Sequence, residues 1–234
     1  MLDIVPLAST VHVVPSWIRL GPGFHLPLQS TVLGLGGGEL AIVSPVAFDD
    51  AVASRIDRLG RVRHLIAPSL LHHLHVGAGA ARWPEARVHG VPGLASKRPD
   101  LRFDATFAGP TELHPELLAV PVEGVPSFAE YVLLHRPSRT LVVTDLVFHV
   151  RQSRGWLTPW ILGMMGARIG TLGQSRAWSL AAADRGALAA SVRGILALDF
   201  DRLVMAHGEP IETGAKERLE AAFRGRLGPA ALSA

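Results

Sequence analysis

Cysteine is absent from the 234 residues, and its absence excludes disulfides, thiolate metal ligands and a cysteine nucleophile together. Any metal bound here must be held by nitrogen and oxygen. Lysine is nearly absent as well: Lys97 and Lys216 are the only two, so the 23 basic residues are almost all arginine, and 20 acids leave a formal charge of only +3. The basic residues are scattered and aromatics make up 6% of the chain. Neither a phosphate-tracking face nor a base-stacking platform is evident in the sequence, so nucleic acid is not an expected partner. Long apolar runs are missing too. The nearest, Trp156 to Met165, is too short for a membrane span and contains Pro159 and Gly163. The first residues, Met1 to Pro6, carry Asp3 and no basic region ahead of an apolar stretch, so they do not read as a signal peptide. A cytoplasmic protein is expected.

What is present is material for a core: 48% of residues are hydrophobic and 18% charged, with no Pro/Gly/Ser-rich or charged run to divide the chain. One domain over residues 1–234 is expected. His12 to Leu20 and Ser30 to Leu35 read as strands, and Gly36-Gly37-Gly38 makes a hairpin into Glu39 to Ser44. His25, between Gly21-Pro22-Gly23 and Pro27, reads as a loop residue. Val52, Ile56 and Leu59 have helical spacing after Asp49 and Asp50, and Gly60 closes that helix. Val62 to Ala67, Arg87 to Gly90, Leu117 to Val122, Tyr131 to Leu134, Thr140 to Thr144 and Arg202 to Met205 follow as strands. Gly79 to Trp83, Pro92 to Lys97, Ala182 to Leu198 and Thr213 to Phe223 follow as helices.

Residues 151–180, rich in Gly, Trp, Met and Arg, read as helices and loops outside the main sheet. Trp156, Trp160, Met164, Met165 and Trp178 suit core packing or a homo-oligomer interface, with a lid over an apolar substrate or association with a membrane surface as alternatives.

Chemistry concentrates in Leu70-Leu71-His72-His73-Leu74-His75-Val76, where three of the 11 histidines lie within four residues. On an extended segment His73 and His75 share a face and could hold one ion, with His72 turned away. The plainer alternative is a buried strand whose ring nitrogens bond to backbone. Asp145 ends the strand Thr140 to Thr144, and His207 follows the strand Arg202 to Met205. In layered α/β folds such strand ends gather along one edge of the sheet. Each also has a structural alternative: Asp145 as a turn or helix cap, His207 as its hydrogen-bond partner without metal.

The order of these motifs resembles the metallo-β-lactamase superfamily. Leu71-His72-His73-Leu74-His75-Val76-Gly77-Ala78 stands in place of its His-x-His-x-Asp-His motif and Val122-Glu123-Gly124-Val125-Pro126 in place of its Gly-His turn. Leu141 to Phe148 matches its aspartate-bearing strand end, and Met205-Ala206-His207-Gly208-Glu209-Pro210-Ile211 its terminal histidine. The resemblance implies an αββα sandwich, two mixed β-sheets flanked by helices. It implies His73, His75, Asp145 and His207 as metal ligands, with His72 and Glu123 as substitutes near vacated positions. Gly77, Ala78 and Val125 stand where the superfamily has an aspartate and two histidines, so a two-metal centre is not expected. One zinc or other N/O-ligated divalent ion is the most that remains. Two functions follow: a metal-dependent hydrolase of an ester, thioester, lactone or phosphoester bond, or a catalytically inactive scaffold binding a small molecule or protein partner.

Overall fold

In the computed structural model, which describes residues 3–228 and 232, the chain begins with β1 (Val5–Ala8), β2 (Val11–Gly21), β3 (Phe24–Leu35) and β4 (Glu39–Val43). Helix α1 (Asp50–Leu59), β5 (Arg61–Ala67), α2 (Val76–Arg82), β6 (Arg87–Gly90), α3 (Leu94–Lys97) and β7 (Ala105–Thr106) complete the first half. The second half contains β8 (Thr111–His114), β9 (Leu117–Pro121), β10 (Tyr131–His135), β11 (Thr140–Val143), α4 (Thr158–Met165), α5 (Arg176–Ala181), α6 (Arg185–Ala197), β12 (Arg202–Met205) and α7 (Ala215–Leu227). Strands β1 to β7 form one sheet in sequence order. The other sheet runs β12-β11-β10-β9-β8. Both sheets are mixed: the first is antiparallel up to β4 and parallel beyond it, and the second has one parallel pair, β11 with β12.

The period-two alternation of strand side chains decides how the layers stack. In β10, β11 and β12, Leu133, Val142 and Val204 join the core shared with the first sheet, where Val32, Ile42 and Leu65 also lie. Their neighbours Val132, Leu134, Leu141, Val143, Leu203 and Met205 face the other way, against Trp178, Leu188, Val192, Ile195, Leu219 and Phe223 of the helices. Strands buried on both faces must be apolar throughout, which is why these segments read as continuous runs. On the first sheet α1 supplies Val52, Ala53 and Ile56 to the core, and Asp49 caps it by accepting the Val52 N–H at 2.8 Å.

Two expectations are corrected. His25 is not in a loop: β3 starts at Phe24 and runs through Pro27. At Pro27 the strand pairs only with Trp17 of β2, since β4 joins from Thr31 onwards, and a missing N–H is tolerated on such a free edge. The histidine segment is not extended: Ser69 to His75 is a run of bends and turns, so strand alternation does not govern which way its rings point. Of the two roles open to Trp178, core packing or an interface, the structure shows the first: its side chain is buried in the core. Among the described residues no helix is long and apolar enough to cross a membrane.

Candidate metal centre

The ends of β4, β5, β11 and β12 meet at one edge of the two sheets, and the polar side chains there are buried. The turn after β5 is shaped by Ser69, whose hydroxyl accepts the N–H groups of Leu71 at 3.2 Å and His72 at 3.1 Å. That bend directs His72 inward. Its Nδ1 lies 2.8 Å from the Ser44 hydroxyl just beyond β4, and its Nε2 lies 3.2 Å from Asp145 Oδ2. From the end of β12, His207 places its Nε2 3.2 Å from Asp145 Oδ1. Its Nδ1–H donates to the Pro27 carbonyl at 2.7 Å, on the stretch of β3 that no strand covers.

The His207 turn depends on a glycine. Gly208 has φ +122°, and a Cβ there would fall 2.1 Å from the His149 carbonyl oxygen. No side chain fits that space.

Asp145 is fixed from behind. Glu130, just before β10, is fully buried and its carboxyl accepts the N–H groups of Thr144 at 2.7 Å, Asp145 at 3.0 Å and Leu146 at 3.3 Å. The Asp145 carbonyl in turn accepts the Trp178 indole N–H at 2.6 Å. Burial, with the Asp145 charge second, pushes the Glu130 carboxyl up to about 8. Burial opposes ionisation of Asp145 also, but the charges and hydrogen bonds of His72 and His207 prevail and hold it well below the usual carboxylate range. For His207 burial acts to lower the pKa. The Asp145 carboxylate and the Pro27 carbonyl outweigh it and raise the value.

His72, Asp145 and His207 each offer one donor atom within 4.8 Å of the others, the one such group of three or more among the described residues. The donors are two imidazole nitrogens and one carboxylate oxygen, the three-ligand pattern that leaves a coordination position open. Second partners are also in place for both rings, a carbonyl on His207 and a hydroxyl beside His72, as metal-binding imidazoles require. Asp145 Oδ2 is buried without a well-directed hydrogen bond. The residues present therefore fit a divalent ion.

The sequence pointed to His73 and His75 ahead of His72. The structure puts His72 against Asp145 and His207, and leaves His73 and His75 outside that group while keeping both in the wall of the same cleft. His73 Nδ1 accepts a hydrogen bond from the Arg98 guanidinium at 3.1 Å. Burial, then the charges of Lys97 and Arg98, lowers its pKa. His75 precedes the first turn of α2, and burial lowers its pKa too. Glu123 is exposed on the loop after β9 and lines a separate cavity with Tyr131 and Asp184. Gly77 faces another cavity, where a Cβ would meet Leu101 at 2.6 Å, and Val125 is buried among the helices behind the second sheet.

The cleft over the three residues has a volume of about 340 Å³ and is walled by Ile18, Leu20, Leu26, Leu28, Phe148 and Met165, with Leu71 and Leu74 at its edge. No lysine, arginine or glutamate lines it.

No protein-family model matches the chain, and no curated protein matches it. Solved structures do. A metallo-β-lactamase from Pontibacter korlensis superposes with a TM-score of 0.68 at 13% identity, over 98% of this chain and 100% of that one. A metallo-β-lactamase from Erythrobacter litoralis gives 0.67 at 18%, over 96% of each. The chain has the metallo-β-lactamase fold. The enzyme FIM-1 from Pseudomonas aeruginosa, solved in a mono-zinc form, aligns equally well: TM-score 0.67 and 12% identity, over 99% of this chain and 97% of that one. The likeness spans almost the whole length of these proteins, at an identity that speaks for the fold alone.

Proposed function

We propose that this chain is a hydrolase of the metallo-β-lactamase fold that binds one divalent ion, zinc or another N/O-ligated metal, through His72, Asp145 and His207. The observation that carries the reading is the convergence of two Nε2 atoms on one buried carboxylate, each ring having its second nitrogen bonded elsewhere. The mono-zinc form of FIM-1 is a precedent on this fold for a single-ion state. When bound, a divalent ion supplies Lewis acidity, which polarises a carbonyl oxygen and acidifies water. The chain's own residues do the rest. Ser44, Pro27 and Glu130 hold the three donors in place. His75 lines the cleft, and burial, which lowers its pKa, favours the free ring nitrogen that would accept a proton there.

The cleft lining narrows the substrate. With no lysine or arginine to meet a phosphate, and mostly apolar walls away from the histidines, it favours an ester, thioester or lactone bearing an aliphatic or aromatic group over a phosphoester. In this reading the chain is one domain, and residues 151–180 contribute a wall of the cleft through Met165.

A second reading, a non-catalytic scaffold that binds a small apolar molecule, is favoured by the 3.2 Å contacts, which allow His72, Asp145 and His207 to pair directly without an ion. Metal analysis of protein purified without chelator separates the two. The hydrolase reading expects about one equivalent of metal, lost in His72→Ala, Asp145→Ala and His207→Ala and kept in His73→Ala and His75→Gln. It also expects turnover of p-nitrophenyl butyrate but not p-nitrophenyl phosphate, with kcat reduced in His75→Gln while metal is retained. Folded, metal-free wild-type protein that turns over neither probe supports the scaffold.

A further inference from the structure

The mouth of the cleft opens beside an apolar surface. Trp156, Trp160 and Met164 are 79%, 64% and 51% exposed, and Leu20 at the tip of the β2–β3 hairpin is 52% exposed. Trp160 and Met164 are four residues apart on α4 and so share one face. The hairpin tip and the segment before α4 are fastened together: the Leu157 N–H donates to the Gly23 carbonyl at 3.0 Å, and the Trp156 ring packs over Gly23 so closely that a Cβ there would meet it at 2.5 Å. Leu20 and Met165 line the cleft, and Leu71 and Leu74 continue its rim outward with 44% and 54% exposure. Scattered exposed apolar residues need no explanation. Tryptophan, methionine and leucine gathered on elements that border one cleft do.

The charges that the hairpin and the α4 segment bring to this surface have one sign. From Ile4 to Gly38 the chain has no Asp or Glu, and from Leu146 to Ala183 it has none either. Those two stretches supply Arg19, Arg151, Arg154, Arg168 and Arg176, all exposed. Two carboxylates from elsewhere come near: Glu209, paired with Arg151 at 3.3 Å, and, on the far rim beside His73, Asp100, paired with Arg98 at 2.7 Å. Arg154 lies over the Trp17 ring at 4.4 Å and Arg176 donates to the Met164 carbonyl at 3.0 Å, while Arg19 and Arg168 form no ion pair among the described residues. A protein partner of ordinary composition would bring both signs of charge to such a face. Exposed tryptophans on acid-free stretches that carry exposed arginines instead match the boundary of a bilayer bearing negative headgroups, where indole rings prefer the headgroup level and arginines meet phosphate.

We propose that the face formed by the β2–β3 hairpin tip, α4 and the segment leading into it docks on an anionic lipid surface, with the cleft mouth turned towards the membrane. Docking does not depend on a metal or on hydrolysis.

The test uses the full chain with sucrose-loaded vesicles, either phosphatidylcholine alone or phosphatidylcholine with about a third phosphatidylglycerol. The wild type is expected to sediment with the anionic vesicles, at least 10-fold more tightly than with phosphatidylcholine alone, and to be released by roughly 0.5 M salt. Trp160→Ser/Met164→Ser and, separately, Arg19→Glu/Arg168→Glu alter only exposed side chains and should each weaken binding about 10-fold or more, with thermal unfolding unchanged. Wild-type protein left in the supernatant with anionic vesicles overturns the proposal. So does binding that neither double variant affects, or a concentration-dependent dimer that Trp160→Ser/Met164→Ser abolishes in the absence of vesicle binding.

Discussion

Glu130 holds Asp145 by its backbone: the buried carboxyl of the first accepts the N–H of the second at 3.0 Å, between similar bonds to Thr144 and Leu146. The turn that presents the candidate ligand is thus built on a side chain that is itself out of reach of solvent. Removing that side chain leaves three amide groups without acceptors in a dry interior. Glu130→Ala is expected to lose about 3 kcal/mol or more of stability in urea unfolding, whereas Glu130→Gln, which keeps one acceptor oxygen, should lose about half as much. Equal losses for the two variants would mean that the backbone bonds contribute little.

Ser44 and His72 make a pair of the same kind on the other side of the site, with 2.8 Å between the hydroxyl and Nδ1. If His72 holds metal through Nε2, the hydroxyl sets the orientation of the ring and the state of the far nitrogen. Ser44→Ala should weaken metal binding about 10-fold in a chelator competition titration and leave unfolding in the presence of chelator within about 1 kcal/mol of wild type.

Much of this was legible in the residues. Both sheets' inner strands announce themselves as apolar runs because they are covered on two faces, and Asp145 and His207 stand out as polar residues at the ends of two such runs. The short edge strands β1, β7 and β8 were not legible. Two to four residues carry no alternation, and their pairing comes from the neighbour strand. The choice among His72, His73 and His75 failed for a different reason. Alternation of faces holds only where the backbone is extended, and Ser69 bends this segment by capping two N–H groups. A serine three residues ahead of His72 was the available signal. Glu130 left one as well, an acid placed directly against the apolar Tyr131–His135 strand. Such a residue is buried only when something nearby uses its oxygens.

Gly208 tests whether the His207 loop is as tightly built as it looks. Its φ of +122° is open to glycine and strained for any other residue, and a Cβ would overlap the His149 carbonyl. Gly208→Ala should destabilise the fold by about 2–4 kcal/mol and shift His207 enough to lower metal content in the protein that remains folded. Near-wild-type unfolding would show that the loop can relax.

The fold should also weaken in mild acid, through histidines remote from the metal centre. His64 on β5 and His89 on β6 are buried side by side, with Nδ1 of the first 3.0 Å from Nε2 of the second, and His89 is stacked on Phe107. Burial, followed by His64 and Arg87, pushes His89 down to about 4, and burial lowers His64 as well. A histidine with a depressed folded-state value takes up protons more readily when unfolded. Its contribution is therefore intact above the ordinary value near 6.5 and is lost as the pH falls from there to about 4, where the folded form protonates too. The span corresponds to about 3 kcal/mol for His89. Urea unfolding at pH 7.0, 6.0, 5.0 and 4.5 (values chosen to cover roughly that window) should show stability declining with each step. His89→Phe, which preserves the stacking on Phe107 and cannot be protonated, should flatten most of that decline even if its stability at pH 7 is lower. An undiminished slope in the variant would assign the acid sensitivity to other groups.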